Sequence, residues 1–200
     1  MTDLLPRVTV PQGPFDPRAL APDADQVWLE IGFGAGEHLA AQAARRPDVL
    51  MLGAETFVNG VASALRHIEA SGLENVRIHF GDARDLMAIL PDKSIDRLFI
   101  LFPDPWPKSR HRRRRLVQGH FVEEAARILK PEAAIRFATD WSEYAESALV
   151  ALLASPSFAW TARSASDWRL PPVDHAPTRY ERKRLGDCGP LWLEFKRTLG

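Results

Sequence analysis

The chain has 200 residues, 46% hydrophobic and 26% charged, a balance that suits one water-soluble domain with a sizeable core. No apolar run approaches the roughly eighteen residues a membrane span needs. Met1–Val10 carries Asp3 and Arg7 without an apolar h-region, so no secretory signal is expected. Cys188 is the sole cysteine, which excludes a disulfide framework and points to a reducing cytoplasm. The six histidines show no metal-ligand spacing, so no metal site is expected. The net charge is zero but uneven. Residues 1–100 carry 9 Lys+Arg against 14 Asp+Glu, and residues 101–200 carry 17 against 12. Six of those seventeen fall between Lys108 and Arg115, a concentration that marks a polyanion partner.

In chain order, residues 1–25 are proline-rich and aperiodic, and read as an arm over a single domain of residues 26–200. Val27–Ile31 is a short apolar strand that runs into glycines, and Glu37–Arg46 is a helix stopped by Pro47. Val49–Ala54 is a second strand. Val58–Ala70 has apolar residues at helical spacing, with Gly72 placed to end it. Val76–Phe80 and Ile95–Phe102 are the third and fourth strands, Leu116–Leu129 a helix, and Ala133–Ala138 a fifth strand. Ser142–Leu153 is a helix with Ser142 as its cap. Strands alternating with helices predict a Rossmann-like, doubly wound α/β fold with a mostly parallel sheet. Beyond Pro156 the pattern changes: Arg179–Leu185 and Leu191–Thr198 alternate around residues 186–189, which predicts a C-terminal antiparallel hairpin.

The first strand ends in Glu30-Ile31-Gly32-Phe33-Gly34-Ala35-Gly36. Glycines at a strand-to-helix turn let the backbone approach a ligand closely. The spacing is G-x-G-x-G rather than the G-x-G-x-x-G of dinucleotide sites, and it resembles motif I of class I S-adenosylmethionine-dependent methyltransferases. That cofactor has no pyrophosphate to cradle, but it carries a sulfonium and an ammonium group, which favour a carboxylate such as Glu30. Glu55, at the end of the second strand, can accept ribose hydroxyls, and Asp82, after the third, is placed to meet the adenine edge. Singly, Glu55 or Asp82 reads as a helix cap or a loop acid. Three acids in step with three strand ends make a cofactor site at the carboxyl edge of the sheet.

The fourth strand opens into Pro103-Asp104-Pro105-Trp106-Pro107-Lys108, a loop that three prolines stiffen. A basic run follows: Arg110, His111, Arg112, Arg113, Arg114 and Arg115. This segment, together with Thr139-Asp140-Trp141 and Thr178-Arg179-Tyr180-Glu181, resembles the signature of bacterial tRNA (guanine-N7)-methyltransferases over nearly the whole chain. The resemblance implies that Glu30, Glu55, Asp82 and Asp104 contact S-adenosylmethionine, with Asp104 in the catalytic position. It implies that Lys108, Asp140, Thr178, Arg179, Tyr180 and Glu181 contact the substrate nucleoside, and that residues 110–115 contact tRNA, with guanosine 46 of the variable loop as the target. The family's longer basic segment ahead of the equivalent of Leu4-Leu5-Pro6-Arg7 is nearly absent, which bears on affinity more than on reaction type.

The chemistry agrees with the resemblance. Guanine N7 has a lone pair and no proton, so its attack on a methyl group calls for alignment and not for a general base. A carboxylate beside the base, Asp104 or Asp140, can stabilise the positive charge that develops. Other readings stand beside these. Trp106 either stacks on a base or packs on the core. Asp140 is either a substrate ligand or the acid ahead of a helix. Thr178, Arg179 and Glu181 are either ligands or strand-entry residues with cross-strand partners. A methyltransferase of DNA or of small molecules, and an RNA-binding module without turnover, are the competing functions. RNA rather than DNA rests on the resemblance, not on the charges.

Overall fold

In a computed structural model that describes residues 4–199, the domain is a seven-stranded sheet with helices on both faces. The strands are β1 (Gln26–Ile31), β2 (Val49–Glu55), β3 (Val76–Phe80), β4 (Ile95–Leu101), β5 (Leu129–Thr139), β6 (Phe158–Trp160) and β7 (Leu191–Arg197). Their order is β3-β2-β1-β4-β5-β7-β6. The five strands β1 to β5 run parallel, and β7 is antiparallel to both of its neighbours. The order turns back on itself between β1 and β4, which opens a crevice at their carboxyl ends, where open α/β sheets bind ligands.

The alternation of side chains along β1 separates the two faces. Val27, Leu29 and Ile31 pack with α4 (Ala83–Ile89), α5 (Gly119–Ile128) and α6 (Ser142–Leu153). Trp28 packs on the other side with α2 (Glu37–Arg45) and α3 (Val58–Ala70). Each fully buried Leu or Ile contributes about 1.5–3 kcal/mol, so the strands read as continuous apolar runs because both of their faces are covered. Among the described residues, the face carrying α2 and α3 has no long helix over β4, β5 and β7. The chain between β6 and β7 crosses there, including the short helices α7 (Ser166–Arg169) and α8 (Arg179–Lys183).

The N-terminal segment forms a single helical turn, α1 (Leu5–Val8), and then runs beside β3, where Val10 N–H donates to the Ile78 carbonyl. Phe15 and Leu20 pack against the main core. The part of the N-terminal reading that rests on Asp3 lies outside the described residues.

Three expectations are corrected. Residues 179–185 do not form a hairpin strand: 179–183 are helix α8, and β7 takes β5 and β6 as antiparallel partners. The cause is a capping box in which the Thr178 hydroxyl and the Glu181 carboxylate satisfy the first free N–H groups of the helix. Ser142 does not cap α6. Trp141 is the N-cap residue, and Ser142 N–H and Oγ–H donate to the Asp187 carboxylate. The helix expected over Leu116–Leu129 begins only at Gly119, because Leu116 and Val117 N–H are both held by the Tyr144 hydroxyl.

Candidate active site

The carboxyl ends of β1 to β4 enclose a cleft of about 870 Å³, lined by the glycine turn, the Glu55 loop, Asp82, the proline loop and α8. That size suits a nucleoside-like ligand. Gly32 and Gly34 have positive φ, and a side-chain atom at either would meet open space, so the turn presents bare backbone to the cleft. Gly34 N–H donates to Glu55 Oε2 at 2.8 Å, while Glu55 Oε1 accepts from the N–H groups of Thr56 and Phe57 at 2.7 and 2.8 Å. Glu55 is thereby fixed in one rotamer, with lone pairs on Oε2 still open to a ligand. Gly36 serves packing instead: a Cβ there would lie 2.5 Å from the Ala64 Cβ, and Gly36 is not on the cleft wall. Gly60, which the sequence reading passed over, is as important to the turn. A Cβ on it would overlap the Gly34 carbonyl oxygen, so only glycine lets α3 sit this close. Small residues at 60 and 64, one helical turn apart, were the available signal.

Asp82 caps α4 by accepting from Arg84 N–H, and its carboxylate also pairs with the Arg84 side chain. The hydrogen bonds from that guanidinium hold Asp82 below the usual carboxylate range, against the effect of partial burial. Asp104 stands exposed on the cleft wall between Pro103 and Pro105. Phe102 (φ 52°) and Trp106 (φ 43°) flank this segment in the left-handed region, each immediately before a proline. Such residues cost about 1–3 kcal/mol apiece and persist only where the surroundings impose them. Here Phe102 N–H donates to the Ala138 carbonyl and its ring packs against Tyr180 and Trp192. Trp106 lines the cleft with the Arg114 guanidinium 4.9 Å from its ring centre and His111 set edge-on.

Asp140 is buried at the end of β5, its Oδ2 accepting from Gly186 N–H at 3.0 Å and its Oδ1 at 3.4 Å from the Tyr180 hydroxyl. Burial, reinforced by the Asp140 charge, raises the Tyr180 pKa, so the phenol stays a donor. Tyr180 and Arg179 reach the main cleft. Arg179 is anchored by Glu37, which accepts from both its Nε and its backbone N–H at 2.9 Å. Thr178 and Glu181 do not reach that cleft: they form the cap of α8, and Glu181 also binds His175. Glu181 instead lines a smaller cavity that it shares with Asp140.

The basic run divides by environment. Arg110 and Arg113 are exposed on the turn of 3₁₀ helix that spans Ser109–Arg114, and Lys108, expected to contact the nucleoside, is the exposed residue that caps that turn and does not line the cleft. Arg112 pairs with Glu143. Arg115, expected at the RNA surface, is only 5% exposed. It donates to the Pro105 carbonyl and the Ser147 hydroxyl, and its guanidinium covers the Tyr144 ring, so it is a structural anchor for the proline loop. Meanwhile Arg66, Arg84 and Lys183, far apart in sequence, join Arg114 and Arg179 around the mouth. Glu30 is also placed differently from expectation. It is 2% exposed and lies behind the glycine turn rather than on the cleft wall, its Oε2 bonded to His38 Nδ1 at 2.8 Å. Among the described residues no His/Cys/Asp/Glu cluster suits a metal ion, and no helix is long and apolar enough to cross a membrane.

Residues 24–192 match a family model described as "Putative methyltransferase". A tRNA (guanine-N(7)-)-methyltransferase of a Caulobacter species is 62% identical over 97% of this chain and 85% of its own length. The chain belongs to the bacterial tRNA (guanine-N7)-methyltransferase family. A second member of that family, from Hyphomonas neptunium, is 50% identical over 95% of this chain and 87% of its own length. Among solved structures, a 16S rRNA (adenine(1408)-N(1))-methyltransferase with cosubstrate SAM, from Catenulisporales acidiphilia, superposes with a TM-score of 0.61. The match covers 92% of each chain at 14% identity, which establishes the class I methyltransferase fold.

Proposed function

We propose that this enzyme transfers the methyl group of S-adenosylmethionine to N7 of a guanosine in tRNA, at position 46 of the variable loop. Membership of the family supports the reaction. One observation carries the assignment of roles: Asp104, Glu55, Asp82 and the glycine turn line a single cleft.

The residues present suit the cofactor. The donor set is acidic and backbone-rich, as hydroxyls, an amine and an ammonium require, and the open side of Gly32 and Gly34 gives the bare surface a ligand can approach. When bound, S-adenosylmethionine supplies an electrophilic methyl on a sulfonium. Glu55 takes the ribose hydroxyls, Asp82 the adenine edge, and Phe57, 71% exposed on the rim, offers a flat apolar surface.

Asp104 holds the guanine by accepting from its N–H edge, and it stabilises the positive charge that grows on the imidazole ring as N7 attacks. No proton leaves N7, so the strained, proline-braced loop serves alignment, and alignment is what this reaction needs. Tyr180 closes the other side of the base, with Asp140 behind it accepting from its hydroxyl. Arg114 and Lys183 at the mouth, together with the exposed neighbours Lys108, Arg110 and Arg113 of the first and Arg182 and Arg184 of the second, carry the phosphates. A soluble protein working in the cytoplasm fits this substrate.

The test is incubation with methyl-labelled cofactor and bulk tRNA, followed by borohydride and aniline. Label in tRNA with chain scission at one guanosine is the expected result. Label that leaves guanosine uncut, or that goes to DNA or small molecules, contradicts the reading.

A further inference from the structure

Behind the cleft, a line of buried polar groups joins Glu30 to the C-terminal chain. His38 sits one turn ahead of Gln42 on α2, and both are fully enclosed. His38 Nδ1 lies 2.8 Å from Glu30 Oε2, its Nε2 lies 3.0 Å from Gln42 Nε2, and Gln42 Nε2 lies 2.6 Å from the Asp174 carbonyl oxygen. Asp174 comes from the crossing segment between β6 and β7, and its carboxylate is gripped by Arg97 and Arg136, each at 2.8 Å.

The direction of every hydrogen bond follows from the far end. A carbonyl oxygen can only accept, so the Gln42 amide must turn its NH₂ toward Asp174. The same NH₂ then donates its second proton to His38 Nε2. Nε2 is therefore the acceptor, and Nδ1 carries the hydrogen that it donates to Glu30. Glu30 Oε1 is left with both lone pairs. The next residue in the segment, His175, stacks on His38 with ring centres 5.6 Å apart, and its Nε2 binds Glu181 in the cap of α8. One segment thus reaches the acid behind the cofactor turn through Gln42 and His38, and bonds directly to the helix that presents Arg179 and Tyr180.

We infer that His38, Gln42 and Asp174 are positioning residues that act through Glu30. By fixing the tautomer of His38, the crossing segment holds the Glu30 carboxylate in place behind the glycine turn that faces the cofactor, and couples cofactor binding to the docking of α8. This rests on the proposal that S-adenosylmethionine binds in the cleft.

The test uses the full chain with S-adenosylhomocysteine as the probe. In the unmodified protein, nitrogen-15 spectra of the histidine rings must show His38 protonated at Nδ1 and bare at Nε2. Gln42→Met keeps the volume and removes both donors. It is expected to weaken S-adenosylhomocysteine binding about tenfold, as loss of one buried hydrogen bond would. S-adenosylhomocysteine is expected to slow amide exchange over residues 179–183 in the parent but not in Gln42→Met. An Nε2-protonated His38, unchanged affinity in folded Gln42→Met, or equal slowing of exchange in both proteins would overturn the inference. The first observation needs no variant, so a Gln42→Met protein that fails to fold leaves the inference open to refutation. Failure of the parent to bind S-adenosylhomocysteine at all would instead remove the underlying assignment of the cleft.

Discussion

Gly186 lies against Asp140 so closely that a Cβ at 186 would overlap the Asp140 carbonyl oxygen, and Gly186 N–H is itself a donor to the Asp140 carboxylate. The pair welds the turn before β7 to the end of β5, and it keeps Asp140 aimed toward Tyr180. Gly186→Ala must push the two backbones apart. Overpacking of this kind costs about 1–3 kcal/mol. The expected outcome is a lower Tm together with a raised KM for tRNA and little change in the affinity for S-adenosylhomocysteine. Thermal melts, steady-state kinetics and calorimetry check the three parts.

Asp104 faces the cleft, and among the described residues its side chain has no hydrogen-bond or ion-pair partner that would need it for folding. Asp104→Ala should therefore leave the melting temperature unchanged and lower turnover by roughly 10²–10³-fold, the scale of removing one oriented charge-stabilising group. The tRNA dissociation constant, read by filter binding, should move less than about threefold, since phosphate contacts dominate affinity. A loss of binding as large as the loss of turnover would make Asp104 a binding residue only.

The arginine run should separate into two behaviours. Arg115→Ala removes a buried anchor from Pro105 and Ser147 and leaves the Pro105 carbonyl without its donor, which costs about 1–3 kcal/mol, while Glu143 is half-exposed and keeps Arg112; a clear fall in stability is expected. Arg110→Ala with Arg113→Ala should leave stability within about 0.5 kcal/mol. The same pair should reduce the slope of log K against log salt for tRNA by about 1–2.

Much of this arrangement could be read from the residues, and the failures have physical causes. The five parallel strands were visible because strands buried on both faces are continuous apolar runs. The helix α4 was missed because it has only seven residues, too few to show a period, although the reading of Asp82 as a helix cap, kept beside its reading as a ligand, pointed to it. Residues 179–185 alternate like a strand, and the T-x-x-E capping box that overrides this lay in view at Thr178–Glu181. Nothing in Arg110–Arg115 distinguishes the buried member, since identical side chains carry no pattern; only the position of Tyr144 and Glu143 on α6 does. Glu30 was assigned to the cleft from strand position, whereas its side chain points to the face that holds His38.

Asp174 gives a pH-dependent stability of known sign. Burial tends to raise its pKa, but Arg136 and Arg97 outweigh this and hold it below the usual carboxylate range. The native state then binds fewer protons than the unfolded chain. The stabilisation is complete above the unfolded value of about 3.9 and is lost as pH falls toward the lower native value. Asp174→Asn should be less stable than the parent at pH 7, and the gap should narrow below about pH 4. Urea unfolding at pH 7, 5, 4 and 3 measures it, and a gap that widens on acidification contradicts the account.

The central claim is that the cleft brings one ring nitrogen of a tRNA guanine to the cofactor's methyl group. It is tested most directly by single-turnover transfer to a tRNA in which guanosine 46 is replaced by 7-deazaguanosine, where a carbon stands in place of N7. The account predicts that this tRNA binds as well as the parent tRNA and takes up no methyl label. Undiminished labelling of the substituted tRNA would contradict it.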